Sequence, residues 1–213
     1  RYDNVDDNQL ATTINRKTTS SLISSGDVDE TNLNGFVNAK LTLGDWVINP
    51  GLRVDAFTFA YEDLIPVAYT RNSERKTRVS PKLNIIYNPS RNWQVFLKSG
   101  VGFHSNDSRV VVAREGNRIL PAAYGADLGG IFKPHPRLWL SGAYWALYLE
   151  QEFVYVGDAG IVEPSGKTMR QGVDFGIRYQ ATKNLFIDAD INYAHARSID
   201  DPEGENFIPL APD

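Results

Sequence analysis

The side chains that hydrolytic catalysis uses most often lie close together between residues 104 and 109. The run His104-Ser105-Asn106-Asp107-Ser108-Arg109 holds an imidazole, two hydroxyls and a carboxylate. A serine hydrolase needs a serine, a histidine and an acid that meet in space. Neighbours on an extended strand point to opposite faces, so His104 and Ser105 do not form that pair unaided. The chain also lacks a G-x-S-x-G string. The run therefore favours ligand contact or loop packing over catalysis.

Metal chemistry is a second possibility, and few residues support it. The chain has no cysteine and three histidines, of which His135 lies on a predicted turn far from the others. The string Asp188-x-Asp190-x-Asn192 resembles the start of a calcium loop, but Tyr193 stands where that loop needs glycine. Four acidic residues near the C-terminus favour a solvated loop: Asp200, Asp201, Glu203 and Glu205. We predict no metal site and no cofactor.

Composition narrows the class of protein. The 213 residues carry a net charge of −4, so no basic surface argues for nucleic acid as a partner. No run of about 18 apolar residues is present, which excludes a helical membrane span. The chain begins Arg1-Tyr2-Asp3 without the pattern of a signal peptide. We expect either that a leader has been removed or that the chain is part of something longer.

The elements that must position these residues are strands. Between Arg170 and Arg197, apolar and polar residues alternate on both sides of a polar turn at 181–184. A period of two indicates extended strands, and two of them across a short turn make a hairpin. Residues 9–16 are predicted as one short strand, followed by a long loop to Thr31. The hairpin pattern recurs at 33–43 with 46–56, at 79–87 with 93–103, and at 124–132 with 138–156.

Short turns alternate with long loops along the chain. The turns fall near positions 45, 89, 134 and 182, a period of roughly 45 residues that a propeller blade would also give. A blade packs four short strands into that length, whereas each period here holds two long strands and one long loop. This pattern is typical of an outer-membrane barrel. We predict an all-β fold: an antiparallel up-and-down transmembrane β-barrel portion of about nine strands, with short periplasmic turns and long extracellular loops.

Two sets of residues follow from this alternation. The first set should face the lumen and a plug inside it: Arg53, Asp55, Lys82, Lys98, Asp127, Asp174, Arg178, Asp188 and Asp190. The second set comprises aromatic residues expected at the membrane interfaces, most of them beside the short turns: Trp46, Tyr87, Trp93, Phe132, Trp139, Tyr179 and Tyr193. Pro50, Pro81 and Pro121 cannot donate to a ladder, so we expect them at strand ends or bulges.

Several strings resemble the barrel of TonB-dependent outer-membrane receptors. They are NPGLRVDAF (49–57), SPKLNIIYNPSRNWQVFLKSGVGFHSNDSR (80–109), VYVGDAGIVEPSGKTMR (154–170) and ENFIPLAP (205–212). The resemblance covers nearly the whole chain, and FHSNDSR and VGDAG look specific to a subgroup. It implies a 22-stranded barrel that imports a scarce ligand with energy delivered through TonB to an internal plug.

The resemblance also sets expectations about partners. Residues 1–213 are expected to be a single barrel segment of a larger receptor, since no plug and no TonB-contacting segment precede Arg1. The implied partners are membrane lipid, lipopolysaccharide, the TonB complex through the plug, and an imported ligand of siderophore, cobalamin, metal-chelate or oligosaccharide type. His195 and Arg197 are candidates for lipopolysaccharide contact. The outer-loop residues expected to touch the ligand are His104, Asn106, Asp107, Arg109, Asp158 and Glu163.

Two other classes of function stay open at this point. A small, complete outer-membrane barrel enzyme of the protease or lipase type would need a catalytic set converging near one rim. A soluble β-sandwich binding module would pack its aromatic residues along a core edge, but it gives no reason for charges inside long strands or for the difference between turns and loops. The transport hypothesis predicts no enzymatic activity.

Overall fold

A computed structural model describes residues 1–65, 70–104, 119–156, 161–164, 166–202 and 204–208. Strands dominate these residues, and no helix among them is long and apolar enough to cross a membrane. The strands are β1 (Tyr2–Ile14), β2 (Thr18–Asn38), β3 (Leu41–Leu43), β4 (Trp46–Asp63), β5 (Thr70–Ser90), β6 (Trp93–Phe103), β7 (Ala122–His135), β8 (Leu138–Leu149), β9 (Phe153–Val156), β10 (Ile161–Pro164), β11 (Thr168–Gln180) and β12 (Phe186–Ser198).

Nearly all of these strands form one antiparallel sheet. Its order is β1-β2-β4-β5-β6-β7-β8-β11-β12, with β3 beside β4, while β9 and β10 form a separate two-stranded hairpin. Strands that follow each other along the main path are therefore neighbours in the sheet, which is the up-and-down order that the alternating pattern predicted. The nine strands of this path confirm the predicted fold class.

Two predicted loops are partly strand. The segment up to Thr31, expected to be loop after one short strand, belongs to β2 and pairs with β1 from Tyr2↔Thr31 to Ile14↔Thr18. Likewise, the segment between the predicted strands 46–56 and 79–87 is largely strand, because β4 runs to Asp63 and β5 begins at Thr70. A mostly polar sequence is compatible with either a loop or a solvent-exposed strand. Here the backbone groups of β1 and β2 are satisfied by pairing with each other, and this pairing makes the segment a strand. At the other end of the chain, the predicted strand 138–156 divides into β8 and β9.

The prolines are accommodated by local gaps in pairing. Pro50 lies within β4, opposite the interruption between β2 and β3, where its carbonyl accepts a bond from the Ala39 amide at 3.0 Å. Pro81 lies within β5, and the register of β5 with β6 runs from Lys82 toward the turn. Pro121 directly precedes β7. The expectation of strand ends therefore holds for Pro121 and is wrong for Pro50 and Pro81, which use gaps in a neighbouring ladder instead.

Candidate functional site

The polar residues predicted to face a lumen share one face of the sheet. Residues directly opposite each other on paired strands lie on the same face, and successive residues alternate. One lateral row runs Asn49↔Asn84↔Lys98↔Asp127↔Trp145 across five strands. A second row carries Lys82 between two glycines, and a third brings Asp174 opposite Asn192. This side is called the polar face below, and the opposite side the apolar face.

Several charges on the polar face neutralise one another. The Arg53 guanidinium donates from Nε and Nη2 to the two carboxylate oxygens of Asp55, both at 2.7 Å, and the Asp55 side chain is fully buried. Arg178 lies 2.9 Å from Asp190 and 3.6 Å from Asp188. The face is therefore strongly polar and internally paired.

An aromatic cluster continues this face toward the long-loop end. Phe57, Phe59 and Tyr61 follow Asp55 on the same face of β4, and Ile119 and Leu120 cover them. The rings of Phe57 and Phe59 are parallel with centroids 5.3 Å apart, and Phe103 meets Phe57 edge-on at 5.6 Å. The sequence interpretation missed this cluster, although the alternating string FTFAY at 57–61 was its signal.

Two ion pairs involve the segment that follows β8. The Arg78 side chain on β5 donates to Glu150, just after β8, at 3.2 Å. Glu150 also accepts the backbone N–H of Ala122 at 3.0 Å and the Tyr124 hydroxyl at 3.3 Å. Arg170 on β11 pairs with Glu152. The segment after β8 thus connects strands on both sides of it, which the linear spacing of these residues does not reveal.

Two of the six predicted ligand residues, His104 and Glu163, belong to the described part of the chain. Asn106, Asp107, Arg109 and Asp158 lie outside the described residues. His104 follows β6, and its backbone N–H donates to the Pro121 carbonyl at 3.2 Å. Glu163, expected on a loop, belongs to β10, where it is paired with Val154. Among the described residues, no three His, Cys, Asp or Glu side chains form a group that could hold a metal ion.

The aromatic residues beside the short turns form stacked pairs on the apolar face. Trp46 stacks on Tyr87 with ring centroids 4.4 Å apart, and Trp93 stacks on Phe132 at 4.1 Å. Tyr179 lies on the same face, opposite Leu138 and Ile187.

Two further aromatic residues occupy different places. Trp139 is directly opposite Arg178 and therefore lies on the polar face. Its assignment to the membrane-interface set is corrected, because β8 begins at Leu138 on the apolar face and Trp139, one residue later, lies on the other side. Tyr193, on the apolar face opposite Val173, lies toward the long-loop end.

A polar cluster on the apolar side joins β1, β2 and β5 beyond the apolar stretch, which ends at Thr31 and Thr58. Asp29 accepts bonds from the Tyr2 hydroxyl and from the Asn4 amide, both at 2.8 Å, and from Arg71 at 2.6 Å. The bond from Asn4, and then that from Tyr2, hold the pKa of the Asp29 carboxyl below its ordinary value. The bond to Asp29 raises the pKa of Tyr2.

Asp29 should therefore make the stability of the folded protein depend on pH. A carboxyl whose pKa is lower in the folded than in the unfolded state adds stability above its unfolded pKa, and this is lost as pH falls through the folded pKa. We expect the Asp29→Asn variant to lose less stability than wild type between pH 7 and pH 3, by at most about 1 kcal/mol because the cluster is partly solvated. Unfolding midpoints of the two proteins across that pH range measure the effect. Asp6→Asn serves as the control, and an equal change there would contradict the assignment.

The sheet, with one apolar face bearing aromatic rows and one polar face of paired charges, defines the wall of an outer-membrane β-barrel. The family described as "TonB dependent receptor-like, beta-barrel" matches residues 1–213. The chain belongs to this family, and its place is the outer membrane of a Gram-negative bacterium. The comparison with curated protein sequences gave no match.

Solved structures share the fold at low sequence identity. The ferric citrate transporter FecA superposes with a TM-score of 0.69 at 19% identity, covering 84% of this chain and 28% of the transporter. The ferric-catecholate import receptor Fiu from E. coli K12 gives 0.65 at 16% identity, covering 84% and 30%. The alcaligin receptor FauA from Bordetella pertussis gives 0.62 at 14% identity, covering 83% and 32%. The chain thus spans about three-tenths of the length of these receptors.

Proposed function

We propose that the chain is part of the barrel wall of a receptor that imports a scarce ligand across the outer membrane with energy delivered through TonB. The observation that carries the proposal is the two-faced sheet of a TonB-dependent family member. In this proposal the apolar face meets lipid, and the polar face lines the lumen and contacts a plug domain elsewhere in the receptor. Transport of this kind makes no covalent change.

The ligand class that best fits is a ferric chelate of the siderophore type. The solved structures that share this fold are receptors or transporters for ferric citrate, ferric catecholate and alcaligin, and this supports iron over cobalamin or an oligosaccharide. The residues proposed to contact the chelate are His104, Asn106, Asp107, Arg109, Asp158 and Glu163.

Uptake of radioactive iron tests this function. A strain lacking the receptor gene should grow poorly when iron is supplied only as the matching chelate, and removal of TonB should have the same effect. Replacing Asn106, Asp107 and Arg109 together with alanine should weaken chelate binding by about tenfold or more, equivalent to at least about 1.4 kcal/mol. A heat-modifiable gel band would verify that the variant folds, and Lys17→Ala on the β1–β2 turn is the matched control.

Two results would contradict the proposal. Normal iron uptake in the deletion strain, with lost growth on an oligosaccharide or on cobalamin, would move the ligand to another class. TonB-independent hydrolysis of a peptide or ester by the purified protein would favour the barrel-enzyme alternative.

A further inference from the structure

Three consecutive short turns repeat the same two-part pattern. In each, a basic residue is followed two positions later by a large, exposed apolar residue that lies within one position of the first residue of the next strand. The pairs are Arg91 with Trp93, Arg137 with Trp139, and Lys183 with Leu185. The turns concerned join β5 to β6, β7 to β8 and β11 to β12, so they are neighbours along one edge of the sheet.

The three basic side chains lack partners within the described part of the chain. Arg91, Arg137 and Lys183 are exposed, and their side chains have no hydrogen bond or ion pair to any described residue. Two other cations near this end are engaged. Arg178 pairs with two carboxylates, and the Lys133 ammonium lies 4.1 Å from the centre of the Trp139 ring. Each of these three turn tips therefore carries a positive charge without a partner among the described residues.

Backbone hydrogen bonds hold the turns in a fixed rim. The Asn88 amide donates to Asp45 at 2.9 Å, the Lys133 amide to Asn92 at 2.8 Å, and the Gln180 amide to Arg137 at 2.9 Å. Paired strands lie about 4.8 Å apart, so successive hairpins present their cations on the order of 10 Å apart. A rigid, evenly spaced row of charges suits a layer of separate anions better than one compact ligand.

The neighbouring aromatic residues place this rim at a membrane surface. The Trp46–Tyr87 and Trp93–Phe132 stacks lie on the apolar face at the same end of the sheet. Aromatic side chains of this kind settle at the headgroup level, and the short turns of such barrels face the periplasm. Cations that extend past the aromatic level reach the lipid phosphates. We propose that Arg91, Arg137 and Lys183 form a binding collar for the headgroups of anionic phospholipids in the periplasmic leaflet.

An acidic protein segment within the lumen is the alternative partner for these three cations. The distribution of charge on the polar face argues against it. On the polar face at this end, Arg178 is already neutralised by Asp188 and Asp190. The unpartnered charges lie at the turn tips instead. A basic residue near an anionic membrane surface contributes about fivefold to affinity, and the contribution decays within a Debye length. The collar rests on the outer-membrane location and not on the proposed import, so either can fail without the other.

Lipid retention by the full-length receptor tests the collar. The receptor would be placed in nanodiscs of phosphatidylcholine with or without phosphatidylglycerol, and the lipids kept after extraction would be counted by native mass spectrometry. We expect wild type to retain phosphatidylglycerol preferentially. The triple variant Arg91→Gln, Arg137→Gln, Lys183→Gln should lose that preference by tenfold or more. Lys17→Gln, Arg75→Gln, Lys76→Gln removes three exposed charges toward the opposite end and should retain it.

Each other outcome overturns the proposal. Equal loss in both triple variants would mean that net charge alone sets the preference. An unchanged preference in the Arg91, Arg137, Lys183 variant would mean that the turn cations bind no lipid. Unchanged lipid retention together with faster proteolysis of a domain held in the lumen would assign these cations to an acidic protein segment. Heat-modifiable migration on an unboiled gel confirms that each variant remains folded.

Discussion

Replacing Phe59 with alanine is expected to destabilise the protein by about 3–5 kcal/mol. Phe59 is 0% exposed, and its ring packs parallel to that of Phe57 beneath Ile119 and Leu120. Removing the ring takes away its transfer free energy and leaves a cavity. Strands β2, β4 and β5 are fixed by continuous ladders on either side, so the surroundings can relax only partly. The loss should therefore lie at the upper end of the range for large-to-small substitutions.

The measurement is the unfolding free energy of the full-length receptor in detergent, followed by loss of the compact gel band in urea. Phe36→Ala is the matched control, because Phe36 lies on the neighbouring strand and is 74% exposed. It should change stability by no more than about 0.5 kcal/mol. Equal losses for the two substitutions would show that the cluster around Phe59 is not a packed core.

Replacing Gly172 with alanine is expected to cost about 1–3 kcal/mol through overpacking. A Cβ at this position would overlap the Tyr193 carbonyl oxygen and lie 2.5 Å from the Trp145 ring. The indole thus packs closely against the glycine of the adjacent strand. Gly129 beneath Phe96 and Gly26 beneath Tyr61 repeat the arrangement. These aromatic rings cover backbone that has no side chain, a device that strengthens strands containing glycine.

Gly35→Ala provides the matched control for Gly172→Ala. Gly35 is also in a strand, yet nothing lies within 4 Å of the added methyl group. The same substitution there should be neutral or stabilise by up to about 1 kcal/mol, because alanine restricts the unfolded chain. Urea midpoints of both variants compare them directly. If Gly172→Ala matched Gly35→Ala, the ring of Trp145 would not be closely packed on the glycine.

The strands were predictable because the alternation of polar and apolar residues is a local property of the sequence. In β11 and β12, the polar and apolar sets read from the sequence are the two faces of the structure, and the turn at 181–184 joins them. Pairing followed from short connections, since a hairpin brings consecutive strands together. The grouping of Arg53 with Asp55, and of Arg178 with Asp188, therefore needed no tertiary information.

Trp139 shows where local reasoning fails. Its position two residues after a basic turn residue matches that of Trp93, but the ladder puts it opposite Arg178 on the polar face. Strand β6 begins at Trp93, whereas β8 begins at Leu138, one residue before Trp139, and one residue of shift exchanges the faces. No pattern within the turn reports that shift. It is fixed only when the flanking strands have paired.

The sequence by itself determined the strand count, the two faces and the family resemblance, because all three depend on residues close together in the chain. The tertiary structure alone decided the contacts between distant segments. Arg78 meets Glu150 across 72 positions, and Ile119 and Leu120 cover the aromatic residues of β4. Such contacts arise where a loop folds back onto a strand. Their partners are chosen by the shape and charge of the assembled sheet, which no spacing along the chain encodes.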